Sequence, residues 1–350
     1  MMERSSTRAV RVGELIIGGG RPIIVQSMTN TDTRNAEATV AQIEKLEQAG
    51  CELVRVAVPD MEAASRLGEI RRRIGIPLVA DIHYNHRLAL KALEEGVDKL
   101  RLNPGNITKR EYIEEIVSAA RNRGVPIRVG VNAGSLPPKT KPTPEGLVEA
   151  ALREIEILEN KNFYDIVVSL KASDVPLMIE AYRLFARERD YPLHLGVTEA
   201  GAGEAGIVKS VIGTGTLLQE GLGDTIRVSL TGDPVREVRV AYEILQALKL
   251  RRRGAEIVSC PTCGRTLIDL EKIVNEVKQR LERMKNPIKI ALMGCPVNGL
   301  GEAGRADVGL VGSRGGGTLY IRGQMVKRVP EDRIVDELVE LVLNYEKTRS

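Results

Sequence analysis

The chain has 350 residues, of which 28% are charged and 43% hydrophobic, and its formal net charge is +4. This length suits one large domain of about 250 residues and a smaller one. The interleaved acidic and basic residues and the scarcity of aromatic side chains argue against a nucleic-acid partner. No apolar run is long enough to span a membrane, and "MMERSSTRAV" lacks the apolar core of a secretion signal. We therefore expect a cytoplasmic protein with reduced cysteines and no membrane partner.

From residue 22 onward, short Val- and Ile-rich runs alternate with helical stretches. Eight runs predict strands, at 22–29, 52–59, 77–83, 99–105, 126–132, 165–172, 192–199 and 224–231. Apolar spacing predicts helices between them, among others at 36–49, 61–73, 108–123 and 144–159, and a last helix at about 235–248 closes the series. Three segments, "QAGCELV", "RRIGIPLV" and "NRGVPIRV", carry a Gly that predicts a helix C-cap.

Eight strand–helix repeats predict an α/β fold, a TIM-type (β/α)8 barrel over residues 1–250. An open doubly wound sheet is disfavoured, because no GxGxxG follows the first strand. The glycines at 18–20 predict a turn between an N-terminal hairpin and the barrel.

After Gly254 the pattern changes, and residues 251–350 predict a small α+β domain. Its expected parts are a cysteine pair, a helix (266–284), a strand (287–292), a Gly-rich loop, a hairpin (307–328) and a final helix (331–346). Residues 249–256 are expected to join the two domains.

Charged and polar side chains recur within the predicted barrel strands, where both faces are covered and such residues need a reason. They stand mostly at alternate positions towards the strand ends, the face on which barrel enzymes carry their sites. The set comprises Arg55, Asp81, His83, Arg101, Asn103, Arg128, Asn132, Ser169, Lys171, Thr198, Glu199, Arg227 and Ser229. A structural salt bridge would explain any one of them, but not the repetition on seven strands.

The five cations of this set predict a ligand with several negative charges, such as a diphosphate, because guanidinium forks match phosphate oxygens. His83 and Glu199 are the expected proton carriers. We expect His86 to face solvent and His194 to be packed inside the barrel.

Three cysteines stand in the second domain, Cys260 and Cys263 in "VSCPTCGR" and Cys295 in "GCPVNG". A CxxC pair suits a zinc knuckle, an iron–sulfur site or a redox pair. The third cysteine, followed by Pro, favours a cluster. Cys51 is expected to be a buried apolar thiol.

The path of the chain limits how the two domains cooperate. The last barrel helix should bring residue 248 to the face opposite the mouth, and eight linker residues span about 26 Å when extended. Returning along the helix takes about 21 Å, and crossing the helix ring takes on the order of 15 Å more. A cluster that serves the mouth must then come from another subunit, which predicts a head-to-tail homodimer.

Several of these motifs together resemble the 4-hydroxy-3-methylbut-2-enyl diphosphate synthases, the iron–sulfur reductases of the non-mevalonate isoprenoid pathway. They are "VQSMTNTDT", "VRVAVP", "ADIH", "KLRLNPGN", "IRVGVN", "GVTEAG", "VSCPTCGR" and "GCPVNGLGEA". The resemblance covers nearly the whole chain in order, without the extra domain of plant-type relatives. "HYNHR", after Asp81 and Ile82, departs from the expected pattern.

The resemblance implies reductive ring opening and dehydration of 2-C-methyl-D-erythritol 2,4-cyclodiphosphate, with flavodoxin or ferredoxin as electron donor. It implies a ferredoxin- or sulfite-reductase-like second domain that carries one [4Fe–4S] cluster per subunit. The implied cluster ligands are Cys260, Cys263, Cys295 and Glu302. The glycines at 299 and 301 are expected to let the chain curl so that Glu302 returns to the metal.

The resemblance also assigns roles at the barrel mouth. Asp81, His83, Thr198 and Glu199 fall on acid–base and hydroxyl-binding positions, and Asn298 should approach the substrate. The remaining polar strand residues fall on diphosphate-binding positions, and the site is shared by two subunits. The alternative is a zinc-stapled TIM-barrel transferase or synthase acting on a phosphorylated small molecule, with the small domain as an interaction module.

Overall fold

The computed structural model describes residues 6–103, 106, 107, 109–137 and 140–349. The chain divides into two compact units, one ending at Arg251 and the other beginning at Arg252. No helix in these described ranges has the length and apolar character needed to cross a membrane.

The first unit is built on a ring of eight parallel strands. They are β3 (Ile24–Met28), β4 (Leu53–Ala57), β5 (Leu78–Asp81), β6 (Lys99–Leu102), β7 (Ile127–Asn132), β8 (Ile166–Lys171), β9 (His194–Leu195) and β10 (Thr225–Ile226). Hydrogen bonds connect them in the order β8-β7-β6-β5-β4-β3-β10-β9. A parallel bridge between Val168 and Leu193 links the two edge strands and nearly closes the barrel. The predicted barrel is confirmed, with strands shorter than the apolar runs that predicted them.

Eight helices follow the strands in turn. They are α1 (Ala36–Ala49), α2 (Met61–Arg73), α3 (His86–Glu94), α4 (Arg110–Arg123), α5 (Pro144–Glu159), α6 (Val175–Glu188), α7 (Gly203–Gln219) and α8 (Pro234–Ala247). Gly50 and Gly124 end α1 and α4 in the left-handed conformation, as predicted. The predicted cap at Gly75 is wrong, because α2 ends at Arg73 and its C-cap residue, Ile74, is already in extended backbone. There the Glu47 carboxylate accepts the N–H groups of Gly75 and Ile76 and holds the chain extended.

An N-terminal hairpin closes the amino-terminal end of the barrel. Its strands are β1 (Val10–Val12) and β2 (Leu15–Ile17), paired antiparallel. Their apolar side chains pack against the first inward-facing residues of the barrel strands, Ile24, Leu53, Val79 and Val167. This apolar floor leaves the carboxyl ends of the strands as the mouth. The predicted turn at residues 18–20 is confirmed, since all three glycines have positive φ.

The second unit is a mixed five-stranded sheet with helices. Its strands are β11 (Ala255–Ser259), β12 (Ile288–Met293), β13 (Val308–Ser313), β14 (Gly316–Ile321) and β15 (Gln324–Pro330). The order is β11-β12-β13-β14-β15, with β11 to β13 parallel and the last two pairings antiparallel. Its helices are α9 (Leu270–Arg280), α10 (Pro296–Gly304) and α11 (Ile334–Arg349), the last preceded by a 3-10 turn at Glu331–Arg333.

Three boundaries predicted for this unit are wrong. The expected linker contains the start of β11, and the expected hairpin is a meander of three strands. Helix α9 begins at Leu270 rather than at 266, because the N–H groups of Thr266 and Leu267 are bonded to the carbonyls of Cys263 and Gly294. Asp269 then caps the helix by accepting from the N–H of Lys272.

The expected Gly-rich loop is helix α10, and packing explains why glycines are helical there. A Cβ at Gly299 would lie 2.7 Å from Val311 Cγ1, so only glycine allows the helix to lie this close to β13. Pro296 occupies the first turn, where no intrahelical N–H bond is lost.

Candidate active site

Five cationic side chains meet inside the mouth of the barrel. Arg128 and Lys171 are buried, and Arg55, Arg101 and Arg227 are largely buried. Arg101 and Arg128 are register partners on β6 and β7, which places two guanidinium groups side by side. The structure therefore brings together the cations that the sequence placed on separate strands.

Much of the hydrogen-bonding capacity of these guanidinium groups is unused. Nε of Arg101, Nε and Nη2 of Arg128 and Nε of Arg227 are buried and have no hydrogen-bond partner in the described parts of the chain. Arg55 donates from Nε and Nη2 to the sulfur of Met28, at 3.1 and 2.9 Å. A thioether is a weak acceptor. Since buried donors are normally satisfied, this arrangement suits a ligand that is rich in acceptor oxygens.

Asp81 is the carboxylate at the centre of these cations. Its Oδ2 lies 3.8 Å from Arg55 Nε, and its Oδ1 lies 3.4 Å from Arg101 Nη1 and 3.6 Å from His83 Nε2. Burial opposes ionisation, but Arg55, His83 and Arg101 outweigh it and hold the pKa of Asp81 well below its usual range. Asp81 is therefore a fixed anion that orients its neighbours, and its charged form is unsuited to donating a proton.

Burial and mutual repulsion lower the pKa values of three cations at the mouth. The pKa of Arg55 is lowered to about 10, chiefly by burial. The negative charge of Asp81 opposes this shift, and the positive charges of Arg227 and Arg101 add to it. Burial and the neighbouring cations also lower the pKa of Arg128 and of Lys171 well below their ordinary values. A bound anion would relieve both the repulsion and the unmet donors.

Polar side chains on neighbouring strands complete the wall of the mouth. Arg128 Nη1 donates to Ser169 Oγ at 2.8 Å, and Asn132 Nδ2 donates to Thr198 Oγ1 at 3.3 Å. Asn103 Oδ1 accepts the N–H of Gly130 at 3.0 Å. These bonds fix the side chains on β6, β7 and β8 and in the segment after β9.

Two residues with proton-carrying side chains lie at the solvent side of the mouth. His83 Nε2 lies 2.9 Å from Arg101 Nη1, and about half of the His83 side chain is exposed. Glu199 is exposed and has a φ of 46°, a left-handed conformation that non-glycine residues seldom adopt. Such strain is common at functional positions. Ser229, which follows β10, is half-buried.

The other two histidines differ in their surroundings. His194 is fully buried with Nδ1 2.5 Å from Thr225 Oγ1, which confirms the packed position predicted for it. The prediction that His86 faces solvent is wrong, because its ring stacks on Tyr112 with centroids 3.5 Å apart. Stacking covers one face of the imidazole and leaves His86 half-buried.

In the second unit, the cysteine loop is bonded to the segment that carries Cys295. The N–H of Gly294 donates to Cys260 Sγ at 3.4 Å, and the N–H of Leu267 donates to the Gly294 carbonyl at 2.9 Å. The N–H of Cys263 donates to Thr266 Oγ1 at 3.0 Å. A Cβ at Gly294 would meet Thr266 Cγ2 at 2.8 Å, so glycine is needed for this contact. These bonds hold the CxxC loop beside the start of α10.

Glu302 and Asn298 both lie on α10, and the expected curl of the chain at residues 299–301 is wrong. Seven residues make about two helical turns, so Glu302 returns to the helix face of Cys295, displaced by about 10 Å along the axis. Helical side chains lean towards the N-terminus, which shortens this separation. Glu302 Oε1 lies 3.8 Å from Arg305 Nη1, and Asn298 is exposed.

The donor set in this unit suits an iron–sulfur cluster. Within the described ranges, no three His, Cys, Asp or Glu side chains are grouped as ligands of a metal ion. However, Cys260, Cys263 and Cys295 are free thiols with accessible surface, and a backbone N–H already points at one sulfur. Soft thiolates near backbone donors are the usual setting of such clusters.

Two family models match the chain, the GcpE TIM-barrel domain over residues 7–242 and the GcpE protein C-terminal domain over residues 256–344. The chain belongs to the GcpE family. Its relative from Thermodesulfovibrio yellowstonii, a 4-hydroxy-3-methylbut-2-en-1-yl diphosphate synthase (flavodoxin), is 56% identical over 345 residues, 97% of this chain and 99% of that protein. The synthase of the same name from Symbiobacterium thermophilum is 57% identical over 347 residues, 98% of this chain and 94% of that protein.

Among solved structures, the GcpE barrel is similar to other barrel enzymes. The match to the dihydropteroate synthase of Yersinia pestis covers 70% of this chain and 98% of that protein, with a TM-score of 0.52 and 13% sequence identity. The match to the 7,8-dihydropteroate synthase of Vibrio fischeri covers 69% of this chain and 98% of that protein, with a TM-score of 0.51 and 14% sequence identity. At these identities the likeness shows the fold alone.

Sequence reasoning missed three residues at the site of this GcpE chain. Met28 accepts from Arg55, and the two are register partners on β3 and β4, a pairing that no sequence pattern displays. Glu237 on α8 is buried, accepts from Ser27 Oγ, and lies 3.5 Å from Arg227 Nε. Lys99 stands two positions before Arg101 on β6 and is fully buried. Its position two residues before Arg101 on the same strand is a signal from which the sequence could have identified it.

Proposed function

We propose that this GcpE chain converts 2-C-methyl-D-erythritol 2,4-cyclodiphosphate to 4-hydroxy-3-methylbut-2-enyl diphosphate in the non-mevalonate isoprenoid pathway. The observation that carries the proposal is the set of buried guanidinium donors at the mouth that have no hydrogen-bond partner among the described residues, in a chain 56% identical to a synthase of that diphosphate. The reaction takes up two electrons and two protons, opens the C–O bond to the cyclic diphosphate, and releases a hydroxyl group as water.

The cations supply what the diphosphate leaving group requires. Arg55, Arg101, Arg128, Lys171 and Arg227 would stabilise the negative charge that develops on its oxygens as the ring opens. Arg55 and Arg101 are positioned before the ligand arrives, because Asp81 contacts both of them and Met28 accepts from Arg55. The polar wall would orient the substrate through Asn103, Asn132, Ser169, Thr198 and Ser229, and Asn298 would approach it from the cluster unit of a second subunit.

Proton delivery falls to His83 and Glu199, the accessible residues at the mouth. Asp81 and Arg101 hold the His83 ring from one side and leave about half of the side chain open to solvent. Glu199 is exposed and has no charged partner within ion-pair distance in the described residues. Both side chains are therefore free to meet a departing oxygen.

We infer one [4Fe–4S] cluster per subunit, held by Cys260, Cys263, Cys295 and Glu302. When bound, it would pass on the two electrons of the donor one at a time and offer a Lewis-acidic iron for the departing oxygen. A carboxylate is a harder ligand than a thiolate, so Glu302 is the ligand most readily displaced. The electron donor would be flavodoxin, as the name of the relatives states, or a ferredoxin.

We infer that the active form is a homodimer whose site combines the barrel of one subunit with the cluster unit of the other. Arg251 Nη1 donates to the Ile23 carbonyl and to Glu52 Oε2, each at 2.6 Å, which anchors it at the amino-terminal ends of β3 and β4. Cys260 lies nine residues further, at most about 32 Å away. The path from this end of the barrel along the last helix and across the helix ring to the mouth is on the order of 36 Å, which exceeds that reach.

An exposed apolar stripe on α7 supports association with a second copy. Val208, Val211 and Ile212 are 54%, 42% and 52% exposed. Their spacing of three and four residues places them on one face of the helix. Contiguous apolar surface of this kind is typical of an interface.

An anaerobic turnover assay with the cyclodiphosphate and reduced flavodoxin tests the activity. Arg128→Ala should lower substrate affinity at least tenfold, an effect of about 1.4 kcal/mol or more. Arg187→Ala, an exposed arginine on α6, should not change it. Absence of turnover by the cluster-loaded protein would contradict the proposal.

Metal content separates this function from the zinc-stapled alternative. Anaerobically prepared protein should be brown and contain iron and sulfide. Cys295→Ala should lose the cluster, whereas Cys51→Ala should keep it. Glu302→Cys should retain iron while turnover falls sharply. Colourless protein with stoichiometric zinc would favour the transferase.

Mixing two impaired variants tests the shared site. Arg128→Ala weakens substrate binding in the barrel, and Cys295→Ala removes the cluster, so activity is measured at a substrate concentration too low to saturate Arg128→Ala. Random exchange of subunits should raise the activity to about a quarter of the wild-type value, since half of the dimers then hold one intact site. Activity that does not rise above that of the separate variants after verified exchange would place barrel and cluster function within one subunit.

A further inference from the structure

Lys99 is a buried basic residue that the proposed reaction does not use. It is the first residue of β6 and has no exposed surface. Its Nζ has no hydrogen-bond partner anywhere in the described residues. Its register partner on β5 is Val79, which belongs to the apolar floor, and Arg101 follows two positions later on the same face. Lys99 therefore lies between the floor and the cations of the mouth.

In the described part of the chain, no carboxylate near Lys99 is free to pair with it. Asp81 is the only acidic residue within strands β3 to β10, and it is shared by Arg55, Arg101 and His83. Glu237, reached from α8, is bonded to Ser27 and paired with Arg227. The other titratable residues of the barrel interior carry or can carry positive charge: Arg55, Arg101, Arg128, Lys171, His194 and Arg227.

These neighbours determine which form of the amine is stable. An ammonium group requires acceptors for its protons, and a buried unpaired charge is costly. The neutral amine avoids both costs. In agreement with the geometry, burial, Arg128 and Arg55 together lower the pKa of Lys99 well below its ordinary value.

We propose that Lys99 is uncharged in the free protein and takes up a proton when a diphosphate occupies the mouth. This inference rests on the proposed function. The negative charges of the ligand offset the surrounding cations, and an ammonium at Lys99 then interacts favourably with the ligand. Lys99 would act through the electric field of the site without touching the substrate. The site would carry one more positive charge when the ligand is bound than when it is empty.

Calorimetric titration with the cyclodiphosphate tests the proposal. Each phosphoryl group of this ligand has a single, strongly acidic proton, so the ligand does not itself titrate near neutral pH. Titrations at about pH 8, between the ordinary pKa values of His and Lys, in buffers of different ionisation enthalpy give the number of protons taken up. The wild type should take up about one proton more per site than Lys99→Met. Its affinity should fall with rising pH by up to tenfold per pH unit more than that of the variant.

Matched variants keep the test decisive. His194→Gln replaces a second buried titratable group of the barrel interior and should leave the proton uptake unchanged. Lys99→Leu provides a second apolar replacement if the Met variant folds poorly, and thermal melts report folding. Equal proton uptake by the wild type and a folded Lys99 variant, or loss of uptake in His194→Gln alone, would overturn the inference. Failure of the wild type to bind the cyclodiphosphate would overturn the proposed function together with the inference.

Discussion

Arg55 directs two of its guanidinium N–H groups at the sulfur of Met28, with donor–acceptor distances of 3.1 and 2.9 Å. The two residues face each other on β3 and β4, and Arg227 Nη1 lies 3.6 Å from the same sulfur. The thioether orients two arginines and competes little with an incoming phosphate, because its acceptor strength is low. Met28 is therefore a positioning residue of the anion site.

Met28→Leu preserves volume and removes this acceptor. The free energy of unfolding should change by less than about 1.5 kcal/mol. The affinity for the cyclodiphosphate should fall by about three- to fivefold, the loss expected for a weak hydrogen bond. Calorimetry checks both, with Met178→Leu, a buried methionine of α6, as the matched control. Unchanged affinity would show that the sulfur does not position Arg55.

Asp81→Asn should lower the free energy of unfolding and make that free energy less dependent on pH in the acid range. The neighbouring cations hold the pKa of Asp81 below its unfolded value of about 4. The stabilisation from its charge is therefore present above about pH 4 and is lost as pH falls towards the folded pKa. Removing one partner of a buried ion pair costs about 3–5 kcal/mol.

Urea unfolding of wild type and Asp81→Asn from neutral pH down to about pH 3 measures this difference. The two curves should converge as the solution becomes more acidic. A constant difference across the range would assign the effect to packing or hydrogen bonding and not to the charge.

Lys99→Met should raise the free energy of unfolding at neutral pH, by about 1–3 kcal/mol, because it removes an unpaired buried amine and keeps the apolar stem. The sign follows from linkage. The unfolded state binds a proton at Lys99 that the folded state does not, so wild-type stability should rise with pH up to the unfolded pKa of about 10. The variant should lack this rise. A destabilised variant with an unchanged pH profile would contradict the neutral amine.

The four cysteines should divide into one inert and three reactive thiols in cluster-free protein. Cys51 is buried and donates to the Leu53 carbonyl, and burial raises its pKa to about 12. Since the thiolate is the reactive species, a thiol reagent near neutral pH should modify Cys260, Cys263 and Cys295 and leave Cys51. Mass spectrometry identifies the sites. Modification of Cys51 in the folded protein would contradict its burial. As a control, unfolding in guanidinium chloride should make Cys51 reactive as well.

Helix α10 illustrates where sequence reasoning failed. Four glycines within residues 294–304 favoured a loop, because glycine destabilises an isolated helix. The tertiary contact with β13 reverses this preference, since a Cβ at Gly299 would collide with Val311. The same seven-residue separation between Cys295 and Glu302 therefore has a different physical meaning. Helical periodicity, rather than a flexible turn, returns Glu302 to the face of Cys295.

The sequence by itself determined the barrel and the side of each strand that carries charge, because alternation along one strand is a local property. It also identified the cysteines and, through resemblance, their family. Only the tertiary structure decided that Arg55 is directed at Met28, that Asp81 is shared by two arginines and His83, and that Lys99 Nζ has no hydrogen-bond partner among the residues the structure describes. These facts depend on distances between side chains from strands far apart in the chain, and such distances exist only once the barrel closes.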